Sequence, residues 1–138
     1  MILSEGDYMK TVIHIPPLAH IFIVEDDLNR VGWFVNKLGS RIIGIHDKPA
    51  NAIQALQAFN INEIDMFFLD HDLGGPFEPP FTTDIAKYMF DQDPKVGKRT
   101  VIHSCNPAGA RNLEAILPGA TRLPFGTFNI EDKDEEKT

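Results

Sequence analysis

Acidic and histidine side chains follow an apolar segment near the middle of the chain. Phe67-Phe68-Leu69 ends abruptly in Asp70-His71-Asp72, and two glycines come next. Two carboxylates and an imidazole within three positions repel one another and lose hydration, unless a metal ion, a proton or a phosphate compensates. This triplet therefore marks the first place to look for chemistry.

Two further polar groups stand in the same relation to apolar segments. Glu25-Asp26-Asp27 follows the apolar run 19–24, and His103-Ser104-Cys105-Asn106 ends the run that begins at residue 99. The carboxyl ends of parallel strands meet at one edge of a sheet, where such folds bind ligands. We therefore expect the three groups to lie around one crevice.

The elements that must position these groups alternate between strands and helices. Short apolar runs predict strands, and apolar residues at helical spacing predict the helices between them. This alternation predicts an α/β fold with right-handed crossovers and a parallel sheet covered on both faces. The predicted strands are 19–24, 41–45, 65–70, 99–104 and 120–125, and the predicted helices are 28–38, 48–59, 84–90 and 107–116, with a Gly- and Pro-rich loop at 73–81.

The length and composition indicate one folded domain. The chain has 138 residues, of which 43% are apolar, enough for one sizeable core. We divide it into an N-terminal extension (1–18), a domain (19–128) and a tail (129–138) that its charge predicts to be disordered. Within the extension, 11–15 is expected to add an edge strand to the sheet.

Charge and cysteine content exclude several classes of protein. A net charge of -7 argues against a broad basic surface for nucleic acid. The single cysteine, Cys105, excludes an internal disulfide and a thiolate zinc site, and we expect it to be a passive buried thiol. No segment approaches the roughly 18 apolar residues of a membrane span, and no secretion signal is recognisable. These features predict a cytoplasmic protein that does not contact a membrane.

Four aspartates are the candidate metal ligands. Asp26, Asp27, Asp70 and Asp72 offer the oxygen donors that Mg²⁺ or Mn²⁺ prefers, and a divalent cation makes their crowding tolerable. The alternative is that Asp26 or Asp27 caps the following helix and Asp72 caps the loop. Glu25 is set aside, because alternation along its strand can point it away from the crevice.

Two histidines are the candidate catalytic residues. His71 and His103 end the third and fourth predicted strands, so their imidazoles can face a common point. Hydrolysis of an ester needs a base for water and an acid for the departing oxygen, and histidine serves in either role near neutral pH. The alternative is that they bind a transition metal together with Asp70 and Asp72.

A phosphate site is expected beside the second histidine. Ser104 and Asn106 offer hydrogen-bond donors, and Arg111 lies one turn into the following helix, whose N-terminus favours an anion. Arg30 and Arg122 are further cations that can reach an anion. The alternative is that Asn106 is ordinary helix-start chemistry and that the arginines are solvated charges.

Three segments together resemble a known family. They are similar to the cyclic-phosphate processing family, which is derived from the receiver domains of response regulators, and the resemblance covers residues 20–125. It implies a receiver-like (flavodoxin-like) doubly wound parallel five-stranded sheet with helices on both faces and, since the chain is acidic from Asn129 onward, no last helix. The segments are 68–74, 84–87 and 101–109.

The resemblance also implies roles for single residues. Asp70 falls at the phospho-acceptor position of a receiver, and Asp26 or Asp27 falls at its acidic magnesium pair. Leu123 stands where a receiver has a lysine, which disfavours phosphorelay signalling. The family implies activity on cyclic phosphates in a pocket rebuilt with histidines.

The function predicted from these features is a metal-assisted phosphoesterase. Its substrate would be a cyclic phosphate at an RNA end or in a cyclic nucleotide, and its partner a small phosphorylated ligand or an RNA end. The alternative is a non-catalytic receiver-like module that binds a phosphorylated ligand or a partner protein. A third hypothesis is a receiver that accepts phosphate on Asp70, which Leu123 disfavours.

Overall fold

The computed structural model describes residues 2–5, 10–73 and 77–133. Within these residues the chain forms two sheets and four α-helices. The strands are β1 (Ile2–Glu5), β2 (Thr11–Ile15), β3 (Ile21–Val24), β4 (Ile42–His46), β5 (Met66–Leu69), β6 (Thr100–Ile102), β7 (Thr121–Arg122) and β8 (Phe128–Asp132). The helices are α1 (Leu28–Leu38), α2 (Pro49–Leu56), α3 (Thr82–Gln92) and α4 (Pro107–Ile116), with 3₁₀ turns at Gly39–Arg41, Ile61–Glu63 and Val96–Arg99.

The central sheet has five strands in the order β4-β3-β5-β6-β7, and all of its pairs are parallel. Each parallel pair needs a crossover, which α1 to α4 provide. The predicted receiver-like, flavodoxin-like α/β fold is therefore confirmed. Within the described residues that follow β7, no helix forms, as the acidic composition predicted.

Local sequence explains where the helices begin. Asp27 caps α1 by accepting from the backbone N–H groups of Asn29 and Arg30, and Asn106 caps α4 in the same way. Pro49 and Pro107 occupy the first turns of α2 and α4. A proline is tolerated there because the backbone N–H groups of the first turn have no acceptor within the helix. Two predicted site residues, Asp27 and Asn106, therefore also serve as helix caps.

Residues of the central strands alternate between two apolar clusters. On one face the strands pack against α2, α3 and α4, and on the other they pack against α1 and the second sheet. Because both faces are covered, β3 and β5 are buried along their whole length. The first face includes Phe22, Val24, Phe67, Leu69 and Ile102, and the second includes Ile21, Ile23, Phe68 and Val101.

The second sheet corrects two expectations. Its order is β1-β2-β8, with β1 antiparallel and β8 parallel to β2, so residues 11–15 do not extend the central sheet. Residues 129–132 form most of β8 instead of a disordered tail, because Phe128 and Ile130 are buried against the central sheet. Residues 134–138 of the predicted tail lie outside the described residues.

Arg41 ties this second sheet to the rest of the fold. Its buried guanidinium donates to the carbonyl oxygens of Leu38 and Ile15 at 3.0 and 3.2 Å, and to that of Lys37 at 2.8 Å. It also pairs with Asp132 of β8 at 2.8 Å.

In the part of the chain described, none of the helices is both long and apolar enough for a membrane span.

Candidate active site

The three polar groups meet at the carboxyl edge of the central sheet, around a cleft of about 330 Å³. Residues from the ends of β3 and β5, from the start of α1 and from the loop after β6 form its wall. These residues are Glu25, Asp26, Asp27, Arg30, Asp70, Asp72, Cys105 and Asn106.

Main-chain hydrogen bonds align the carboxyl ends of the neighbouring strands. The backbone N–H of Asp70 donates to the Val24 carbonyl at 3.1 Å, and that of His103 donates to the Leu69 carbonyl at 3.0 Å. The parallel ladder thus continues one residue past each strand. Potential ligand atoms of Glu25, Asp70 and His103 consequently all lie within 4.8 Å of one another.

Glu25 is wholly buried and points into this group, although alternation had suggested the opposite direction. Its Oε1 lies 2.9 Å from Nε2 of His103, and its Oε2 accepts from the backbone N–H groups of Asp26 and Asp27 at 3.0 and 3.1 Å. Burial raises the pKa of Glu25, but the hydrogen bond and charge of His103 outweigh burial and leave the pKa lowered. Glu25 is therefore an anion at neutral pH.

Asp70 is the carboxyl with the least compensation. It is 4% exposed, and burial together with the neighbouring Glu25 carboxylate raises its pKa to about 6, although His103 opposes the shift. Asp70 therefore exchanges its proton close to neutral pH.

Asp72 and His71 form a second carboxylate–histidine pair. Nδ1 of His71 lies 2.9 Å from Oδ1 of Asp72, which also accepts from the side-chain amide of Asn106 at 3.2 Å. The bond from His71 is the main reason why the pKa of Asp72 is lowered. The ring of His71 packs against Gly109 in the first turn of α4, where a Cβ would lie only 2.4 Å from the ring.

The other two predicted metal ligands differ from each other. Asp27 is exposed, and its Oδ1 accepts from the backbone N–H groups that open α1 at 2.9 and 3.1 Å. Asp26 is half-buried, and burial and the Glu25 charge raise its pKa. Both line the cleft, but only Asp26 has a carboxylate without a capping role.

Of the predicted phosphate-binding residues Ser104, Asn106 and Arg111, one lies in the cleft wall. Asn106 lines the cleft, whereas Ser104 is buried and accepts from the Asn106 backbone N–H at 3.1 Å. Arg111 is exposed on α4 and is not among the residues of the cleft wall. Arg122 pairs with Glu114 at 3.0 Å.

Arg30 and Cys105 both line the cleft, although the sequence predicted a minor role for Arg30 and a buried position for Cys105. Nη1 of Arg30 lies 3.8 Å from Asp70 and 3.9 Å from Glu25, and its guanidinium lies 5.0 Å from the ring centre of Phe125. The Cys105 thiol is exposed at the cleft instead of buried, 3.8 Å from Nη2 of Arg30.

Neither predicted catalytic histidine is part of the cleft wall, and each contacts a carboxylate that is. Because an ionised carboxylate only accepts, the histidine nitrogen facing it must carry the proton. In a neutral ring, the free acceptors are therefore Nε2 of His71 and Nδ1 of His103. The His71 side chain is 26% exposed, whereas His103 is fully buried and its Nδ1 has no hydrogen-bond partner.

This orphaned nitrogen bears on whether His103 can bind a metal. A ligating histidine normally donates its second N–H to a nearby acceptor, which Nδ1 of His103 lacks. His103 therefore fits better as the residue that holds Glu25 in place. Glu25 and Asp70, with Asp26 in the same wall, are oxygen donors that suit a hard divalent cation.

Sequence reasoning missed Glu25 and placed Arg30 only among the minor candidates. The available signal for Glu25 was its position directly after a strand buried on both faces, where alternation no longer separates a wet side from a dry one. For Arg30 the signal was its place in the first turn of the helix that follows the acidic group.

Comparison with known protein families shows which family this chain belongs to. A family model described as "Cyclic-phosphate processing Receiver domain" matches residues 21–118, a segment that contains the cleft wall. No curated protein and no solved structure matches this chain.

Proposed function

Because this chain belongs to the cyclic-phosphate processing receiver domains, we propose that it is a metal-assisted phosphoesterase that opens a cyclic phosphate. The observation that carries the proposal is the close approach of Glu25 and Asp70 beside His103, all within 4.8 Å. Two buried carboxylates so close together repel one another when both are ionised, and a divalent cation would relieve this repulsion. The substrate would be a cyclic phosphate at an RNA end or in a cyclic nucleotide.

Glu25, Asp70 and Asp26 would hold a divalent cation, Mg²⁺ or Mn²⁺. Both ions prefer oxygen ligands, and the three carboxylates are oxygen donors in one wall. When bound, such an ion polarises phosphoryl oxygens and lowers the pKa of its water. Asp27 and Asp72 remain candidates as well, and each has a second role, since Asp27 caps α1 and Asp72 holds His71 and Asn106.

The histidines would have unequal roles. Asp72 orients His71 through Nδ1, which leaves Nε2 of a partly exposed ring free to accept a proton from the attacking water. As water bonds to phosphorus, the bond from phosphorus to one ribose oxygen breaks, and that oxygen gains a proton that His71 can return. His103 is fully buried, so it would act by holding the Glu25 carboxylate.

Turnover of cyclic nucleotides tests the proposal. Purified protein would be incubated with 2′,3′- and 3′,5′-cyclic nucleotides in Mn²⁺ or Mg²⁺, and ring opening would be followed by chromatography. We expect His71→Gln to lower the rate by about 10²- to 10⁴-fold, the usual share of a general base. His20→Gln, an exposed histidine at the other edge of the sheet, is the matched control. Absence of turnover with either ion, or full activity in His71→Gln, would contradict the proposal.

A non-catalytic module is the second candidate. The observation in its favour is that neither histidine is part of the cleft wall. A module of this kind would bind a phosphorylated ligand or a partner protein without turnover. Calorimetry that finds tight binding of an unchanged cyclic nucleotide would favour it.

A further inference from the structure

Arg30 carries hydrogen-bond donors that the described residues of the protein do not use. The two carboxylate oxygens nearest to Nη1, on Asp70 and Glu25, are 3.8 and 3.9 Å away, beyond the distance of a good hydrogen bond. Among the residues that the structure describes, the guanidinium makes one hydrogen bond, from Nη2 to the Cys105 thiol at 3.8 Å, and a thiol is a weak acceptor. A guanidinium has five N–H donors, so most of these remain available to a ligand.

The side chain is nevertheless held in one place. The guanidinium lies over the ring of Phe125, 5.0 Å from its centre, and Phe125 in turn packs edge-on against Trp33 at 5.2 Å. Its side chain is 28% exposed, so the donors can be reached from the cleft. A stacked arginine with free donors loses little rotamer freedom when a ligand binds.

The charge of the cleft makes this cation the natural contact for an anion. Five carboxylates line the wall, and among the residues that the structure describes there, Arg30 is the one positive side chain. A phosphate that enters the cleft is repelled everywhere else unless a metal ion is present. Arg111, the arginine that the sequence favoured, lies outside the wall.

We propose that Arg30 binds the phosphate of the ligand, donating two N–H groups to its two non-bridging oxygens. This inference rests on the proposed function and defines its substrate class. A cyclic phosphodiester keeps two non-bridging oxygens in the geometry that a guanidinium binds in a bidentate manner. Arg30 thus selects a phosphate ester and orients it toward the metal-binding carboxylates.

Calorimetry on four proteins tests the proposal. Wild type, Arg30→Gln, Arg30→Lys and Lys37→Gln would be titrated with 2′,3′-cyclic AMP and with inorganic phosphate in Mn²⁺. Lys37 is the matched control, because it lies on the same helix over the Trp33 ring but outside the cleft wall. We expect both ligands to bind at least tenfold more weakly to Arg30→Gln, with a smaller loss for Arg30→Lys and no change for Lys37→Gln.

Manganese affinity separates this role from simple damage to the fold. Removing a positive charge beside Asp70 and Glu25 should leave Mn²⁺ binding equal or tighter in Arg30→Gln, whereas misfolding would weaken it. The lone thiol gives a local readout. Bound ligand should slow alkylation of Cys105 by a neutral maleimide in the wild type and not in Arg30→Gln.

The outcomes distinguish this inference from the proposed function. If the wild type binds the ligand without opening its ring and Arg30→Gln does not bind it, the phosphate-binding role of Arg30 is supported and the proposed hydrolase activity is contradicted. Equal ligand affinity in wild type and Arg30→Gln overturns the role of Arg30, even if hydrolysis is observed. Arg111→Gln would be titrated as a fifth protein, and loss of binding in it with binding kept in Arg30→Gln overturns the role of Arg30, as does no binding to the wild type.

Discussion

Replacing Asp70 by asparagine should stabilise the metal-free protein at neutral pH. Asp70 is 4% exposed, and burial raises the pKa of its carboxyl from 3.8 to about 6. An asparagine of the same shape carries no charge. Its carbonyl oxygen can still accept from the Asp72 backbone, and its amide can donate to the Glu25 carboxylate.

The magnitude follows from the shift in pKa. Raising the folded-state pKa of an acid by about two units makes the ionised form about 3 kcal/mol less stable in the folded protein. The loss is absent below the unfolded-state pKa of 3.8, grows as the pH rises and is complete above about 6. Asp70→Asn should therefore gain about 3 kcal/mol at pH 7.5 and only about 1 kcal/mol at pH 4.5.

Urea denaturation in EDTA, followed by circular dichroism at both pH values, measures this difference. Asp91→Asn is the matched control, because Asp91 is exposed on α3, and we expect it to change the free energy of unfolding by less than about 0.5 kcal/mol. The reasoning is refuted if Asp70→Asn is less stable than the wild type at pH 7.5. It is equally refuted if the difference does not depend on pH.

Three further outcomes follow from the same contacts. Mn²⁺ affinity, measured by calorimetry, should fall about tenfold per pH unit below about pH 6 and level off above it, because a proton on Asp70 competes with the cation; a flat profile would exclude Asp70 as a ligand. Arg41→Met should cost about 3 kcal/mol or more in urea denaturation, since it leaves buried carbonyl oxygens and Asp132 without their donor, and a loss below about 1 kcal/mol would contradict this. Asn106→Ala should cost about 1 kcal/mol by removing the cap of α4, whereas Asn112→Ala at an exposed position of α4 should not destabilise; equal effects would count against the capping role.

The alternation of strands and helices was predictable because four of the five central strands, all but β7, are mainly apolar runs bounded by turn residues. Strand ends could be located to within three residues, so the convergence of three polar groups on one edge was visible in the sequence. What the sequence could not supply was side-chain direction at those ends. The orientation of Glu25 depends on its bonds to His103 and to two backbone N–H groups, which only tertiary structure brings together.

The second sheet escaped prediction for a different reason. Phe128 and Ile130 alternate with Asn129 and Glu131, which is a pattern typical of a strand. The charged residues that follow nevertheless led the composition of the whole tail to predict disorder. The pairing of β8 with β2 joins segments over 100 residues apart. No local signal sets such a register, since it is selected by burial against the central sheet.

The cleft holds five carboxylates, and the way in which the fold treats each one indicates where a cation is needed. Three of them accept hydrogen bonds of 2.9 to 3.2 Å: Glu25 from His103 and two backbone N–H groups, Asp27 from the start of α1, and Asp72 from His71 and Asn106. The remaining two are Asp26 and Asp70, and for both, burial and the fixed charge of Glu25 raise the pKa. A divalent cation between them would remove both the repulsion and the cost of desolvation. Stability and metal affinity should therefore move in opposite directions in Asp70→Asn, a correlation that a purely structural role for this carboxyl does not predict.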